Sequence, residues 1–319
     1  MNKFSKPTVI FIVGCTASGK GTVGRALTER FDSEILSIDS MKVYKEMDIG
    51  TAKPSKEIRD RIPHHLIDVA DPSESFSVGR FVELSQKAIA EVHNRGKITL
   101  AVGGTVLYLK GLTEGLFEGP SADPAIREEL KRQAEELGSE ALYNELIKVD
   151  PETADRLHYN DIKRIVRALE VYRITGKPIS SMQKQFGVLR TDYNMLFIGL
   201  RHEKDQLNAR INERVRRMFR AGLVEEVMTL YHRDPPISPQ ARDAVGYAEL
   251  IEYFEGRWDL PVAMEKVKVN TRRLAKMQRT WFRRMPHIGW IDIPDGHSPE
   301  EFIVSIGDKI EAWLKSLTV

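Results

Sequence analysis

Residues Thr8–Val13 (TVIFIV) form a short, nearly unbroken apolar run between a proline and a glycine. A run this short and without alternation predicts a strand buried on both faces of a parallel sheet. A glycine-rich turn follows, and then a helical pattern from about Lys20 to Phe31. Glu34–Ile38 predicts a second strand ending at Asp39, and His65–Val69 a third. Ser77 is placed to cap a helix running to Asn94, with Gly96 to stop it. Ile98–Val102 is another buried strand and ends in Gly103-Gly104-Thr105. Beyond Pro120 the pattern turns helical: Asp123-Pro124, Asp150-Pro151 and Asp161 each start a helix, and strand character returns only at Met195–Leu200. Helices resume at about Lys204–Ala221 and Pro261–Arg284. The expected fold is α/β: a P-loop parallel sheet flanked by helices, with a helical insertion domain. The expected division is 1–121 for the first part of the core, 122–190 for the insertion and 191–319 for the rest.

Composition narrows the class. The chain has 319 residues, 41% hydrophobic and 29% charged, which suits a globular protein with a sizeable core. Cys15 is the only cysteine, so internal disulfides and cysteine-based zinc sites are excluded. No apolar run approaches the ~20 residues that span a bilayer. The N-terminus lacks the pattern of a secretory signal, so a cytoplasmic, monomeric protein without membrane partners is expected. The adjacent His64 and His65 would point to opposite faces of a strand, and no third ligand accompanies them. They read as structural, or as contacts near the site.

Gly14–Gly21 reads GCTASGKG between a strand and a helix, the context in which this pattern grips phosphate. Backbone N–H groups of Gly14, Cys15, Thr16, Ala17, Ser18, Gly19, Lys20 and Gly21 can cradle anionic oxygens, and Lys20 adds a cation. The standard pattern places Ser or Thr after the lysine to hold Mg²⁺. Gly21 stands there instead, which weakens a hydroxyl–metal contact but leaves the anion cradle intact. Cys15 reads as a small filler rather than a reactive thiol, because no base lies nearby in sequence. With Asp39 and Thr105 at strand ends and no water-activating partner in view, transfer from a diphosphate or phosphoryl transfer to an acceptor is favoured over ATP hydrolysis.

Charge is uneven. The formal net charge is +2, yet Met264–His287 holds eight Lys or Arg against Glu265 alone, a net +7. At 3.6 residues per turn, Arg272, Lys276, Arg279 and Arg283 fall in one stripe, with Val267, Leu274, Met277 and Trp281 opposite. This pattern predicts an apolar face on the core and a row of cations for a nucleic-acid backbone.

Several strings together carry a family resemblance. GCTASGKG, IDSMKVYKEMDIGTAKP (Ile38–Pro54), HHLIDVADPSESFSVGRF (His64–Phe81), AVGGTVLYLKGL (Ala101–Leu112), ALEVYRITGKP (Ala168–Pro178), RDAVGYAEL (Arg242–Leu250) and LAKMQRTWFR (Leu274–Arg283) resemble the tRNA dimethylallyltransferases, in the same order and over nearly the whole chain. Departures are Cys15 for proline and Gly21 for threonine in the loop, Met41-Lys42 in DSRQVY, and Met277 for arginine in KRQ-x-TW.

The resemblance implies dimethylallyl diphosphate and a tRNA anticodon stem-loop as substrates, with Mg²⁺ as cofactor. It implies Asp39 as general base on the exocyclic amine of an adenine. Thr105 would sit at the pyrophosphate and the metal, and Lys20 and Arg214 on the leaving group. It places tRNA contacts at Asp39, Ser40, Met41, Lys42, Arg127, Asn160, Asp161, Ile162, Lys163, Arg164, Arg242, Gly246 and Tyr247, beside Arg272, Lys276, Arg279 and Arg283. Three alternatives remain at this level. They are a nucleoside monophosphate kinase, which Gly19–Thr22 (GKGT) favours, an isopentenyltransferase acting on free adenine nucleotides, and a non-catalytic RNA-binding protein.

Overall fold

The computed structural model describes residues 4–115, 119–120, 122–183 and 187–317. Six parallel strands form one sheet: β1 (Thr8–Gly14), β2 (Ser33–Ile38), β3 (His64–His65), β4 (Ile98–Gly103), β5 (Asn194–His202) and β6 (Gly289–Ile293), in the order β3-β2-β4-β1-β5-β6. Every residue of β1, β2 and β4 is buried, as in strands covered on both faces. Period two sends successive side chains of β1 to opposite faces. Ile10 and Ile12 join Val23 and Leu27 of the helix Lys20–Arg30 and Ile306 and Ile310 of the helix Ile303–Ser316 in one core cluster. Phe11 stacks on Phe197 of β5, ring centroids 4.6 Å apart.

Two elements depart from the sequence reading. The third strand spans only His64–His65, because Leu66 (φ 62°) and Asp68 (φ 57°) adopt left-handed backbone that no ladder accommodates. The edge strand β6 and the helix Ile303–Ser316 were not expected from the pattern. Thr113–Leu189 form a second compact unit with its own helical core around Leu130, Leu146, Ile165 and Leu169. Two of its helices begin on aspartate caps: Asp123 Oδ1 accepts from Ala125 and Ile126 N–H, and Asp150 Oδ1 from Thr153 N–H.

Candidate active site

The strand order sets β2, β4 and β1 side by side, so Asp39, Gly103-Gly104-Thr105 and the glycine-rich loop leave adjacent carboxyl ends. That is where open parallel sheets bind ligands. Gly19, at φ 87°, caps the helix Lys20–Arg30 and turns the loop into it. Gly103 is obligatory for a different reason: a Cβ there would lie 2.0 Å from the Ile38 carbonyl oxygen. Lys20 Nζ donates to the Cys15 carbonyl at 3.1 Å and so stays over the loop.

The loop is held from outside by three side chains. His202 Nε2 lies 3.0 Å from the Ser18 carbonyl, and Arg210 Nε donates to the Ala17 carbonyl at 3.0 Å. Gln278 bridges two turns: its Oε1 accepts from Thr16 N–H at 2.8 Å and its Nε2 donates to the Gly104 carbonyl at 2.9 Å. Gln278 belongs to the helix Leu260–Phe282, the basic helix of the sequence. The same helix offers the Ala275 carbonyl to Cys15 Sγ at 3.4 Å. Burial raises the Cys15 thiol pKa against the opposing charges of Lys20 and Arg279, which agrees with a filler rather than a nucleophile.

Asp39 Oδ1 accepts from Met41 N–H at 3.0 Å and Lys42 N–H at 3.3 Å, forming the turn after β2. Thr105 Oγ1 accepts from Ser40 N–H at 3.0 Å and lies 3.4 Å from Ser40 Oγ. Lys20, Lys42 and Arg214 are each partly buried, and each feels the Asp39 charge. Burial, reinforced by Arg214, pushes the Lys20 ammonium down to about 8. Burial also lowers Lys42 and Arg214 below their usual ranges, and Asp39 opposes the shift in both. Lys20, Arg214 and Lys42, the last expected as a tRNA contact, thus share the surroundings of Asp39, and Thr105 is bonded to the adjoining Ser40.

Other expected contacts fall elsewhere. Tyr247 is 0% exposed; its ring lies against Gly50 and its hydroxyl donates to Glu226 Oε1 at 2.6 Å. Burial and the Glu226 carboxylate raise the phenol's pKa. Glu226 also accepts from the N–H groups of Asp48, Ile49 and Gly50, so it fixes the MDIGTAKP turn. Tyr247 thus supports that turn, and both it and Gly246 are buried away from an RNA surface. Glu226 and Gln278 escaped the sequence reading because each looks like an ordinary polar helix residue. Arg242 is exposed and pairs with Glu255 at 2.5 Å.

On the basic helix the buried positions are Ala263, Val267, Lys268, Thr271, Ala275 and Phe282. Met277 and Trp281 are 57% and 40% exposed, which corrects the expectation that they face the core. Small side chains line the buried face because it runs against the loop, where Cys15 and Thr16 touch it. The cation stripe lies on the flank: Lys276 and Arg283 are exposed, and Arg272 and Arg279 are partly buried. Arg272 Nη1 donates to Asn212 Oδ1 at 2.5 Å.

In the second unit, Arg127 forms a forked ion pair with the fully buried Glu170, at 2.9 and 3.1 Å. Asn160, Lys163 and Arg164 are exposed around the start of the helix Ile162–Thr175, capped by Asp161; Ile162 packs on that unit's core. His65 is structural, bound to Glu34 at 2.7 Å, and His64 Nδ1 lies 2.6 Å from the Ile62 carbonyl.

The sequence profile of the IPP transferase family matches residues 42–285. The chain belongs to this family. It is 46% identical over 290 residues to tRNA dimethylallyltransferase 2 of Geotalea uraniireducens, covering 91% of this chain and 94% of that one. It is 44% identical over 301 residues to the tRNA dimethylallyltransferase of Geobacillus thermodenitrificans, covering 93% of each. Among solved structures, the full-length tRNA isopentenylpyrophosphate transferase of Bacillus halodurans matches with a TM-score of 0.72 and 40% identity over 98% of both chains. A eukaryotic dimethylallyltransferase acting on tRNA matches with a TM-score of 0.80 and 29% identity, over 96% of this chain and 80% of its own. Membership in the IPP transferase family displaces the kinase reading of Gly19–Thr22. Among the described residues, no helix is long and apolar enough to cross a membrane.

Proposed function

We propose that the chain transfers the dimethylallyl group of dimethylallyl diphosphate to the exocyclic amine of the adenine 3′ to the anticodon in tRNA, releasing pyrophosphate. The observation that carries this reading is one carboxylate, Asp39, set among Lys20, Lys42 and Arg214 beside the glycine-rich loop in an IPP transferase. The bond between the allylic carbon and the diphosphate oxygen breaks, and its electron pair stays on the oxygen. A bond forms from the adenine nitrogen to that carbon, and the amine proton passes to Asp39. Oδ1 is committed to two backbone N–H groups, which leaves Oδ2 to take the proton. Lys20 and Arg214 stabilise the charge that grows on the leaving oxygen.

Mg²⁺ suits this donor set. Among the described residues no group of three or more His, Cys, Asp or Glu could hold a metal, but a hydroxyl beside a diphosphate fits an ion that prefers phosphate oxygens and water. Thr105 would hold it, and it would neutralise diphosphate charge. Lys276, Arg279, Arg283 and Arg272 serve the tRNA backbone in this reading, with Asn160, Asp161, Lys163 and Arg164 as a further contact on the second unit. The enzyme is taken to act as a cytoplasmic monomer.

The test incubates the chain with dimethylallyl diphosphate, Mg²⁺ and unmodified tRNA, then measures nucleoside masses. One adenosine should gain a dimethylallyl group. Product from AMP but not tRNA would replace the acceptor, and tRNA binding without any product would overturn the enzymatic reading.

A further inference from the structure

Gly21 is where the loop departs from the standard pattern, and the space in front of it is filled. A Cβ built on Gly21 would lie 3.3 Å from Nη1 of Arg25, four residues further along the same helix. Arg25 Nη2 reaches back to Thr22 Oγ1 at 3.4 Å. The guanidinium therefore lies over the N-terminal turn of the helix. A serine or threonine at position 21, where the standard pattern holds a metal ion, would set its Cβ against that guanidinium. Glycine makes room for it; any side chain at 21 would press on the guanidinium.

The surroundings of Arg25 are those of an anion site. It is partly buried, and Lys42 and His64 both feel its charge. Lys42 in turn faces Asp39 and Arg214, and Lys20 faces Asp39, Arg214 and Lys42. Glu300, in the short turn Pro299–Phe302, is the acid that faces Arg25. Four cations, Lys20, Arg25, Lys42 and Arg214, thus gather around two carboxylates, Asp39 and Glu300. The cations outnumber the acids two to one. A bound polyanion relieves that crowding.

We propose that Arg25 is a ligand of the substrate diphosphate, supplying beside Gly21 the positive charge that a hydroxyl-held metal ion supplies in the standard loop. Its planar fork can give two parallel N–H donors to phosphate oxygens, which a lysine cannot match. The inference rests on the reading of the chain as a transferase that uses dimethylallyl diphosphate. It implies that this chain retains diphosphate affinity without metal, and that Arg25 carries much of what is retained.

The experiment is calorimetric titration of the full chain with inorganic pyrophosphate, first in EDTA and then in Mg²⁺. It compares wild type, Arg25→Gln and Arg25→Lys, with a thermal melt and tRNA affinity measured for each. Losing one charge-assisted contact should cost Arg25→Gln about tenfold or more in metal-free affinity, and less in Mg²⁺. Melting and tRNA affinity should hold, and Arg25→Lys should recover only part of the loss. Equal affinity in wild type and Arg25→Gln overturns the proposal and leaves the functional reading standing. So does an equal loss in both variants together with a lowered melting temperature, because Arg25 would then be packing on Thr22 and Glu300. A wild-type chain that binds no pyrophosphate in either buffer overturns the functional reading along with it.

Discussion

Replacing Gln278 tests whether the basic helix holds the diphosphate loop. Its amide makes two hydrogen bonds, to Thr16 N–H and the Gly104 carbonyl, and only one orientation of the amide satisfies both. A typical hydrogen bond contributes about 0.5–1.5 kcal/mol net. Gln278 is half-buried, so water can replace part of what Gln278→Ala removes, and a loss of about 1–2 kcal/mol is expected. For a chain of this size that lowers the melting temperature by roughly 2–8 °C. The effect on function should be of the same energy, because the two turns released are the loop and the segment that leads into Thr105. A rise of about tenfold in the KM for dimethylallyl diphosphate corresponds to ~1.4 kcal/mol. Gln278→Glu discriminates further. It keeps an acceptor for Thr16 N–H, but it sets an acceptor against the Gly104 carbonyl and a negative charge beside the diphosphate. Steady-state kinetics at saturating tRNA, with pyrophosphate calorimetry, should rank wild type above alanine and alanine above glutamate. Glutamate binding as tightly as alanine, or both matching wild type, would refute the bridging role.

Three further outcomes are expected. Asp39→Asn keeps an oxygen for the Met41 and Lys42 N–H groups but cannot take a proton, so turnover should fall about 10²–10⁴-fold with tRNA affinity and melting preserved; single-turnover rates near wild type would remove Asp39 as the base. Lys20, at about 8 when folded against an ordinary 10.5, should lose its charge as pH rises through 8. Metal-free pyrophosphate affinity should therefore weaken above that pH. The unfolded chain binds more protons between the two values, so the ligand-free protein should gain stability over the same window; Lys20→Met should abolish both trends, and their survival would assign them to another group. Replacing Arg272, Lys276 and Arg279 with glutamine should weaken tRNA binding and reduce the log–log salt slope by about 0.7–0.9 per lost phosphate contact. Arg272 also holds Asn212, so a melt run beside the salt titration separates lost folding from lost contacts, and an unchanged slope would place the stripe outside the RNA interface.

The parts of the site that were legible in the sequence are those in which local chemistry determines the geometry. A buried run followed by glycines and lysine specifies strand, loop and helix, and the carboxyl ends of β1, β2 and β4 bring the loop, Asp39 and Thr105 together. The two bridging residues were not legible. Gln278 acts on Thr16 and Gly104, and Glu226 on Asp48–Gly50, across more than 170 positions of chain. The basic helix shows why hydrophobic periodicity failed there. Close approach to a loop demands Ala275 and Thr271 on the buried face, and it leaves Met277 and Trp281 outside although they are the more apolar residues. Tyr247, which the resemblance placed among the tRNA contacts, is instead buried, and its ring closes on Gly50.

Two sets of cations result, and they answer to different physics. Lys20, Lys42 and Arg214 are partly buried around one carboxylate, where desolvation lowers their pKa values. Salt screens such groups weakly, so their grip on an anion should follow pH more than ionic strength. Lys276 and Arg283 are exposed, and charges of that kind act through counterion release, which follows ionic strength. Both substrates in the proposed reaction are polyanions, so charge alone cannot sort them. Depth can. In the proposed reaction the buried set would take the compact diphosphate, and the outer stripe the nucleic-acid backbone. Gln278 and Ala275 lie on the helix that carries that stripe and touch the loop directly. The same helix therefore links the two sets: one flank carries the exposed cations, and its buried face holds the loop beside the buried ones.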